Sequence, residues 1–376
     1  MRRLLVSGVG LRGDGYPNAE RTLEILRESG NWEVHDRADW LPVGTRLWSV
    51  ARETFGKRAR LILRLASSSA LRALVSMLSS DSRGALIYLP YPALFTLWWV
   101  SFVPRRWRAR YIADAYLSIW DSMFRDRCSH RRHGLTSGLV YGFEGRALRA
   151  ANLVLTDTEA NRELLIRDFA LNPERVRSAP LAIDEDHFRS VGPARPKSGP
   201  LRVLFVGTLI PLHGVSVVLD AMRALGDDTR FEFRLIGDGQ LSGEVEEFLG
   251  RNPLPRLTWI REWCPLDRIA TEIGAADICL GVFGGSGKAA RVLPFKVYMY
   301  LAAGRAVVTQ AEMSLPAGTP YPPVAAIDIN QAGALASALV SLAEAPDQRL
   351  GLASAAREYY GRWLANSRIA AFWESI

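Results

Sequence analysis

The sequence predicts an α/β protein made of two doubly wound, Rossmann-like domains that face each other across a cleft. Three observations predict it. Strand-like apolar runs alternate with helical patterns, the sign of βαβ units on a parallel sheet. The alternation stops at SVGPARPKSGP, residues 190–200, whose proline, glycine and serine read as a linker. It then restarts. Residues 1–189 are expected as one domain and 201–376 as the other, with the last helix expected to pack back on the first. A chain of 376 residues, 48% of them hydrophobic, is long enough for two cores.

In the first half RLLVSGV, ALIYLP, RYIAD and NLVLTD read as strands, and TLEILRE, RLILRLASSSALRALVSML and EANRELLIRDFA as helices. In the second half LRVLFVGT, FRLIGDG, LTWIRE, DICLGVF and AVVTQ read as strands with helices between. Ligands of doubly wound sheets sit at the carboxyl ends of the strands, so two such domains hold two substrates.

The first strand runs into GVGLRG, residues 8–13, which spells G-x-G-x-x-G, with Glu33 further on. This is the dinucleotide fingerprint on paper. In that fold, however, the helix starts within the motif and meets the pyrophosphate. Here Asp14-Gly15-Tyr16-Pro17 intervenes, and proline favours a first helical turn. The loop is about four residues too long for NAD. Two readings stay open: a flexible turn, or a loop at which Gly10, Gly13, Asp14, Gly15 and Tyr16 admit an acceptor close to the backbone.

Charge is uneven. The chain carries 47 basic and 39 acidic residues, and residues 1–185 hold the whole net charge of +8. All but four of the basic residues are arginine; the lysines are Lys57, Lys197, Lys288 and Lys296. A nucleic-acid binder is one class this basicity suggests, but nothing else in the sequence supports it. Cys128, Cys264 and Cys279 form no C-x-x-C pair, which argues for a reducing, cytoplasmic compartment and against structural zinc. Residues 84–104 carry no charge but are split by Pro90 and Pro92. They read as a strand plus a buried helix, not a membrane span. Trp98 and Trp99, followed by Arg105, Arg106 and Arg108, suit peripheral contact with the inner leaflet of a membrane; a buried helix followed by a basic loop is the alternative.

In the second half, Pro294 stands where a helix should start and Gly304 where it should end. Lys296 then falls in the first turn, where the helix dipole disfavours a cation. A lysine there, behind a glycine run at 284–287 and beside Lys288 and Arg291, predicts a diphosphate at the helix N-terminus. Solvated surface charge is the alternative. The Ile236-Gly237-Asp238-Gly239 segment reads as a turn after a strand, and His213 as a phosphate contact or a cap. Asp184-Glu185-Asp186-His187 has the composition of a metal cluster but sits at the domain exit, and no metal is expected.

Several segments in series resemble the family-4 glycosyltransferases, which have the GT-B fold. They are Val206-Gly207-Thr208-Leu209, His213-Gly214, the I-G-D-G turn, Ala275-Ala276-Asp277, and S-x-K-A-x-R-V-x-P-x-K-V-Y before L-A-x-G-R. DAYLSIWDSMFRDR and ALRAANLVLTDTEAN resemble that family's acceptor domain. The resemblance implies a retaining, metal-independent transferase that takes a sugar from a nucleotide diphosphate donor to a glycan or lipid-linked acceptor, in bacterial polysaccharide or cell-surface glycan synthesis. It implies donor contacts at Gly207, Thr208, His213, Gly214, Gly237, Asp238, Lys288, Arg291, Val292, Lys296 and Met299. It implies no cofactor beyond the donor. A polar first-domain residue overhangs the sugar in that family; Asp114 is the candidate here, with His133 and His130 weaker ones. For Asp114 a helix cap or a salt bridge to Arg110 is the alternative. This chain departs from the family in two ways. Met299 stands where a glutamate contacts the donor ribose, and Thr208 and His213 stand where arginine and lysine are usual. A catalytically degenerate binding or scaffold protein is therefore the second reading.

Overall fold

The computed structural model describes residues 1–13, 16–43, 45, 55–78, 85–126, 134–196, 198–328 and 331–376. It divides into two compact units, Met1–Ala182 with Ile369–Ile376, and Ile183–Arg368.

The first unit contains β1 (Arg2–Val6), β2 (Val9–Gly10), α1 (Asn18–Glu28), β3 (Trp32–Asp36), β4 (Asp39–Trp40), α2 (Phe55–Leu78), β5 (Leu86–Leu89), α3 (Leu94–Val100), β6 (Arg110–Asp114), α4 (Leu135–Leu148), β7 (Leu153–Thr156), α5 (Glu159–Phe169) and β8 (Val176–Ser178). Six strands form one parallel sheet in the order β3-β1-β5-β6-β7-β8. Its central strands read as unbroken apolar runs because helices cover both faces. One face, through Leu5, Ile87, Leu89, Tyr111 and Ala113, packs under α2, α3 and α4. On the other, Trp373 near the C-terminus meets Trp32 and Tyr88 edge-on at 6.1 and 5.4 Å.

The second unit contains α6 (Glu185–Arg189), β9 (Leu201–Val206), α7 (Val215–Ala224), β10 (Phe231–Ile236), α8 (Ser242–Arg251), β11 (Leu257–Ile260), α9 (Leu266–Ala275), β12 (Ile278–Leu280), α10 (Phe295–Ala302), β13 (Ala306–Gln310), β14 (Ala325–Ile327), α11 (Ala332–Glu344) and α12 (Pro346–Trp363). A last helix, α13 (Asn366–Glu374), follows. Its six parallel strands run β11-β10-β9-β12-β13-β14. Renumbered within the unit, that order is 3-2-1-4-5-6, the dinucleotide-fold order. The Pro/Gly segment after residue 189 belongs to this unit for a physical reason. Arg305 donates to the Gly192 carbonyl, and Arg357 to those of Arg189 and Val191.

With all strands parallel, the order in which successive strands are added reverses between β1 and β5 in the first sheet and between β9 and β12 in the second. These are the switch points, where the loops at the carboxyl ends diverge and leave a crevice. No helix among the described residues is long and apolar enough to cross a membrane. The uncharged stretch 84–104 contains β5 and α3.

Candidate functional site

At the second unit's switch point, β9 ends at Val206 and the chain enters Gly207 with φ +148. A side chain here would approach the Lys296 ammonium to 2.9 Å, so only glycine lets the backbone pass over that lysine. A short 3-10 turn, Pro211–His213, follows, and Gly214 at φ +63 opens α7. A Cβ on Gly214 would land on the Phe283 carbonyl, which fixes this loop against the one leaving β12.

Lys296 lies in the first turn of α10, directly after Pro294, as the sequence predicts. It is not a surface charge: the residue is 4% exposed. Its Nζ sits 3.7 Å from the Phe205 ring centroid and donates to the Gly281 carbonyl at 3.4 Å. Among the described residues no carboxylate pairs with it. Burial alone drives its pKa well below the ordinary lysine value. His213 is also buried, and its Nδ1 contacts the Thr208 carbonyl. A carbonyl only accepts, so Nδ1 carries the proton and Nε2 is left as the acceptor. Burial first, then the neighbouring Lys296, pushes the His213 pKa well down.

Lys288 and Arg291 close one 3-10 turn, Arg291 N donating to Lys288 O at 3.0 Å. Residues three apart in such a turn lie on one side. Val292 then leads toward α10, and Met299 lies one turn beyond Lys296 on the same helix, half-buried. Gly237 follows β10, and Asp238 is spent locally. Its carboxylate accepts from Ser242 Oγ, Gly239 N and Arg261 Nε, at the start of α8. The Ser242 hydrogen bond is the main reason its pKa is lowered.

Three residues here escaped sequence reasoning. Gln310, fully buried at the end of β13, accepts from Gly285 N at 3.0 Å and donates to Gly285 O at 3.2 Å, so one amide clamps the glycine run. Thr309 Oγ1 accepts from Val282 N at 3.1 Å. Phe205 reads as an ordinary core residue of a strand; only the tertiary structure puts its ring under a cation. A glutamine after an apolar strand was the available signal for the clamp.

At the first unit's switch point, α1 starts after Pro17, as expected. Gly10 pairs with Trp40 in a two-stranded ladder, and a Cβ on it would crowd the Trp40 ring and Pro90. Its lack of a side chain thus serves packing. Gly13, at φ +83, donates its N–H to Glu20 Oε2 at 2.7 Å. Tyr16 is buried, tilted against Tyr91 at 4.9 Å, and donates its hydroxyl to Asp114 Oδ1 at 2.8 Å. Asp14, Gly15, His130 and His133 lie outside the described residues.

Asp114 ends β6 but is not presented as the sequence reading expected. It is 1% exposed. Oδ1 accepts from Tyr16 Oη and from Tyr116 N at 3.3 Å, and Oδ2 from Tyr88 Oη at 3.0 Å. It is neither a helix cap nor a partner of Arg110. Burial pushes its pKa up to about 7, against the pull of those donors. The correction is physical: a strand-end carboxylate with three tyrosines around it is enclosed by them.

The predicted membrane segment divides. Trp99 is 42% exposed and Arg105 and Arg106 are exposed. Trp98 turns into the α3–α4 seam against Phe143 at 5.1 Å. Arg108 is used internally, donating to the Val103 and Ser101 carbonyls at 2.7 and 2.9 Å.

No family model matches the sequence. Two curated relatives match over short stretches. An uncharacterised glycosyltransferase of Methanocaldococcus jannaschii is 41% identical over 54 residues, 14% of each chain. The MMP α-(1→4)-mannosyltransferase of Mycolicibacterium hassiacum is 24% identical over 144 residues, 37% of this chain. The matches thus span 14% and 34% of those relatives' own lengths. Solved structures match throughout. HepE of Anabaena, crystallised with UDP, aligns with a TM-score of 0.67 at 13% identity, covering 100% of this chain and 99% of that one. Sucrose-phosphate synthase of Thermosynechococcus elongatus aligns at 0.72 and 16%, covering 100% and 98%. WaaG, involved in lipopolysaccharide biosynthesis, aligns at 0.63 and 14%, covering 100% and 99%. The fold is that of the GT-B glycosyltransferases, with two Rossmann-like domains.

Proposed function

We propose that this chain is a glycosyltransferase that takes a sugar from a nucleotide diphosphate donor held by the second unit. One observation carries the reading: a buried ammonium with no carboxylate partner among the described residues, Lys296, under a glycine loop at the switch point. Burying a cation without an anion is unfavourable. A bound diphosphate supplies the missing charge, where the N–H groups of the first turn of α10 also converge. Lys288 and Arg291, on the turn before, add charge-assisted hydrogen bonds. His213 Nε2 faces the same loop as a neutral acceptor.

Sugar transfer breaks the bond between the anomeric carbon and the diphosphate. Charge develops on the leaving oxygen, and these cations offset it. In this reading the acceptor hydroxyl bonds to the anomeric carbon from the same face and its proton passes to the leaving phosphate oxygen, so configuration is retained and no strong protein nucleophile is needed. The leaving diphosphate is stabilised by side chains and a helix terminus, with no metal ion assigned a part. Asp114 is a positioning residue that acts through Tyr16 on the glycine loop of the first unit, where the acceptor, a glycan or lipid-linked intermediate, is received. The setting is bacterial polysaccharide or cell-surface glycan synthesis on the cytoplasmic side, with Trp99, Arg105 and Arg106 at the inner leaflet.

Met299 favours a second reading, a GT-B protein that binds donor without turning it over. A panel of nucleotide sugars tests both: calorimetric binding with transfer or hydrolysis supports the enzyme, binding alone the degenerate form, and no binding of any nucleotide diphosphate overturns both. UDP is the first probe, because HepE was crystallised with it.

A further inference from the structure

Helix α2 carries more large apolar side chains outward than inward. Its buried positions include Leu65 at 3% exposure but otherwise small or polar residues, Ser69 at 0%, Ala73 at 1% and Ser76 at 2%. Its outward positions hold leucines: Leu63 is 69% exposed, Leu71 58%, Leu74 50% and Leu78 74%. Of the inward serines, Ser76 Oγ donates to the Ala73 carbonyl at 2.8 Å and pairs with the Tyr111 hydroxyl at 2.7 Å, while the Ser69 hydroxyl is buried without a hydrogen-bond partner. A soluble surface helix has the reverse pattern. The neighbouring helix α3 exposes Trp99 at 42%, and beyond its end Phe102 and Trp107 are 56% and 65% exposed. A surface of this kind marks a contact with something apolar.

Charge identifies the partner. Between residues 55 and 110 the sequence holds ten basic residues and one acid, Asp81. Arg60, Arg105 and Arg106 are exposed beside the apolar face. The one acid that approaches α2 from another described element is Asp39, and it is taken by Arg64 at 2.8 Å and by Ser68. Apolar residues rimmed by arginine and tryptophan, with Asp39 already paired, complement an anionic lipid surface, in which the leucines enter the acyl boundary and the arginines meet the headgroups. A protein partner would instead be expected to answer at least some of that charge with acids of its own facing a mixed surface.

We infer that the outward face of α2, extended by Trp99 and Trp107, docks the first unit on anionic bilayers as an in-plane interfacial helix. This makes the acceptor of the proposed transferase one that is held at the bilayer surface. That last step rests on the functional reading above; the docking itself does not, and it is tested without turnover.

The experiment is co-sedimentation of the full chain with vesicles of phosphatidylcholine containing phosphatidylglycerol, against vesicles of phosphatidylcholine alone. Binding to the anionic vesicles should weaken with salt. Leu71→Gln/Leu74→Gln/Leu78→Gln should reduce partitioning by roughly a hundredfold or more, since each leucine removes several buried CH2 groups. Arg60→Gln should reduce it about fivefold, one basic group's worth. All three side-chain changes on α2 are outward, so the melting temperature should hold; if the triple variant unfolds, Arg60→Gln with Arg105→Gln and Arg106→Gln reads the same surface. UDP binding, measured on the same preparations, should be unchanged in every variant. No binding of the wild type to anionic vesicles at low salt overturns the inference, as does a triple variant that binds like wild type. A concentration-dependent dimer abolished by the triple substitution also overturns it, in favour of a second copy on this face. Failure of UDP to bind while vesicles do would instead strike the transferase reading and leave the docking intact.

Discussion

The Nζ of Lys296 lies 3.7 Å from the centroid of the Phe205 ring, inside the core of the second unit. A desolvated cation–π contact contributes about 2 kcal/mol, which only partly offsets the loss of hydration. In the proposed reading the donor diphosphate supplies the remaining compensation. Lys296→Met should weaken UDP binding by roughly ten- to a hundredfold, from the loss of a hydrogen bond to a charged group at about 1.5–3 kcal/mol. Calorimetry measures this; a variant that binds like wild type moves the diphosphate elsewhere.

The same burial makes donor binding a proton-linked event. The lysine's pKa is held well below its ordinary value of 10.5 in the empty protein, and a bound diphosphate raises it again. Between those two values binding takes up a proton, so affinity should fall as pH rises. Calorimetric enthalpies in two buffers of different ionisation heat should differ within that window in wild type and agree in Lys296→Met. The stability effect has the matching sign. A base whose folded pKa is depressed destabilises the fold as pH falls below 10.5, down to the depressed value, because the unfolded chain binds the proton more readily. In that window the empty Lys296→Met protein should melt at or above the wild-type temperature. A clear loss of stability would make the lysine structural.

Lys288 and Arg291 share one 3-10 turn, so each should contribute to the same ligand. Single substitutions to alanine should each weaken UDP binding about tenfold. A double variant no weaker than either single one shows that only one of them reaches the nucleotide.

The fold was legible because its signals are local and repeated: apolar runs at strand length, a proline before a helix, a glycine after one. Pro17, Pro294 and Gly304 mark real helix ends. The donor-side loops were legible for the same reason, since Gly207 and Gly214 are demanded by backbone geometry. What sequence did not show depends on side chains meeting across the sheet. Nothing in RYIAD says that Tyr16 and Tyr88, distant in sequence, close over Asp114. Nothing in LRVLFV says that Phe205 lies under Lys296, or in AVVTQ that Gln310 clamps residue 285. The cluster Arg105-Arg106-Arg108 looked uniform, yet Arg108 is turned inward to two carbonyls while its neighbours face solvent.

Gly13 adopts φ +83, and its N–H is held by Glu20. Any L-residue there is strained by about 1–2 kcal/mol, and a Cβ would also press on Val43. Gly13→Leu should therefore disturb the first unit's loop, lowering transfer or hydrolysis across a nucleotide-sugar panel by about tenfold or more. UDP binding to the second unit should change little. Equal losses in both would show that the loop is not specific to the acceptor side. Tight binding of NAD by the wild type would restore the dinucleotide reading of this loop.

Asp114 offers the sharpest test of a positioning role. Its carboxyl is pushed up to about 7 in the folded protein because burial outweighs its hydrogen-bond donors. An acid whose folded pKa is raised favours folding at pH values below the unfolded pKa, near 3.9. That contribution is lost as pH rises through 7, by up to about 1.4 kcal/mol per pH unit for one proton, and is constant above. Asp114→Asn cannot ionise, so its stability should not follow this slope. It keeps an oxygen for the Tyr16 hydroxyl, while its amide turns toward Tyr88, whose hydroxyl must then accept. Urea unfolding of both proteins from pH 5 to 9 gives the difference directly. Glu144, also raised to about 7 by burial, titrates in both proteins and cancels. The expected result is a stability difference that shifts in favour of the variant up to about pH 7 and then levels. Activity should fall in Asp114→Asn without a change in UDP affinity, and Tyr16→Phe should reproduce that fall, because the carboxylate acts through that hydroxyl. If Tyr16→Phe is fully active while Asp114→Asn is dead, the carboxylate acts on substrate directly. If the stability difference is flat from pH 5 to 9, Asp114 is ionised throughout and the enclosure by tyrosines does not control its charge.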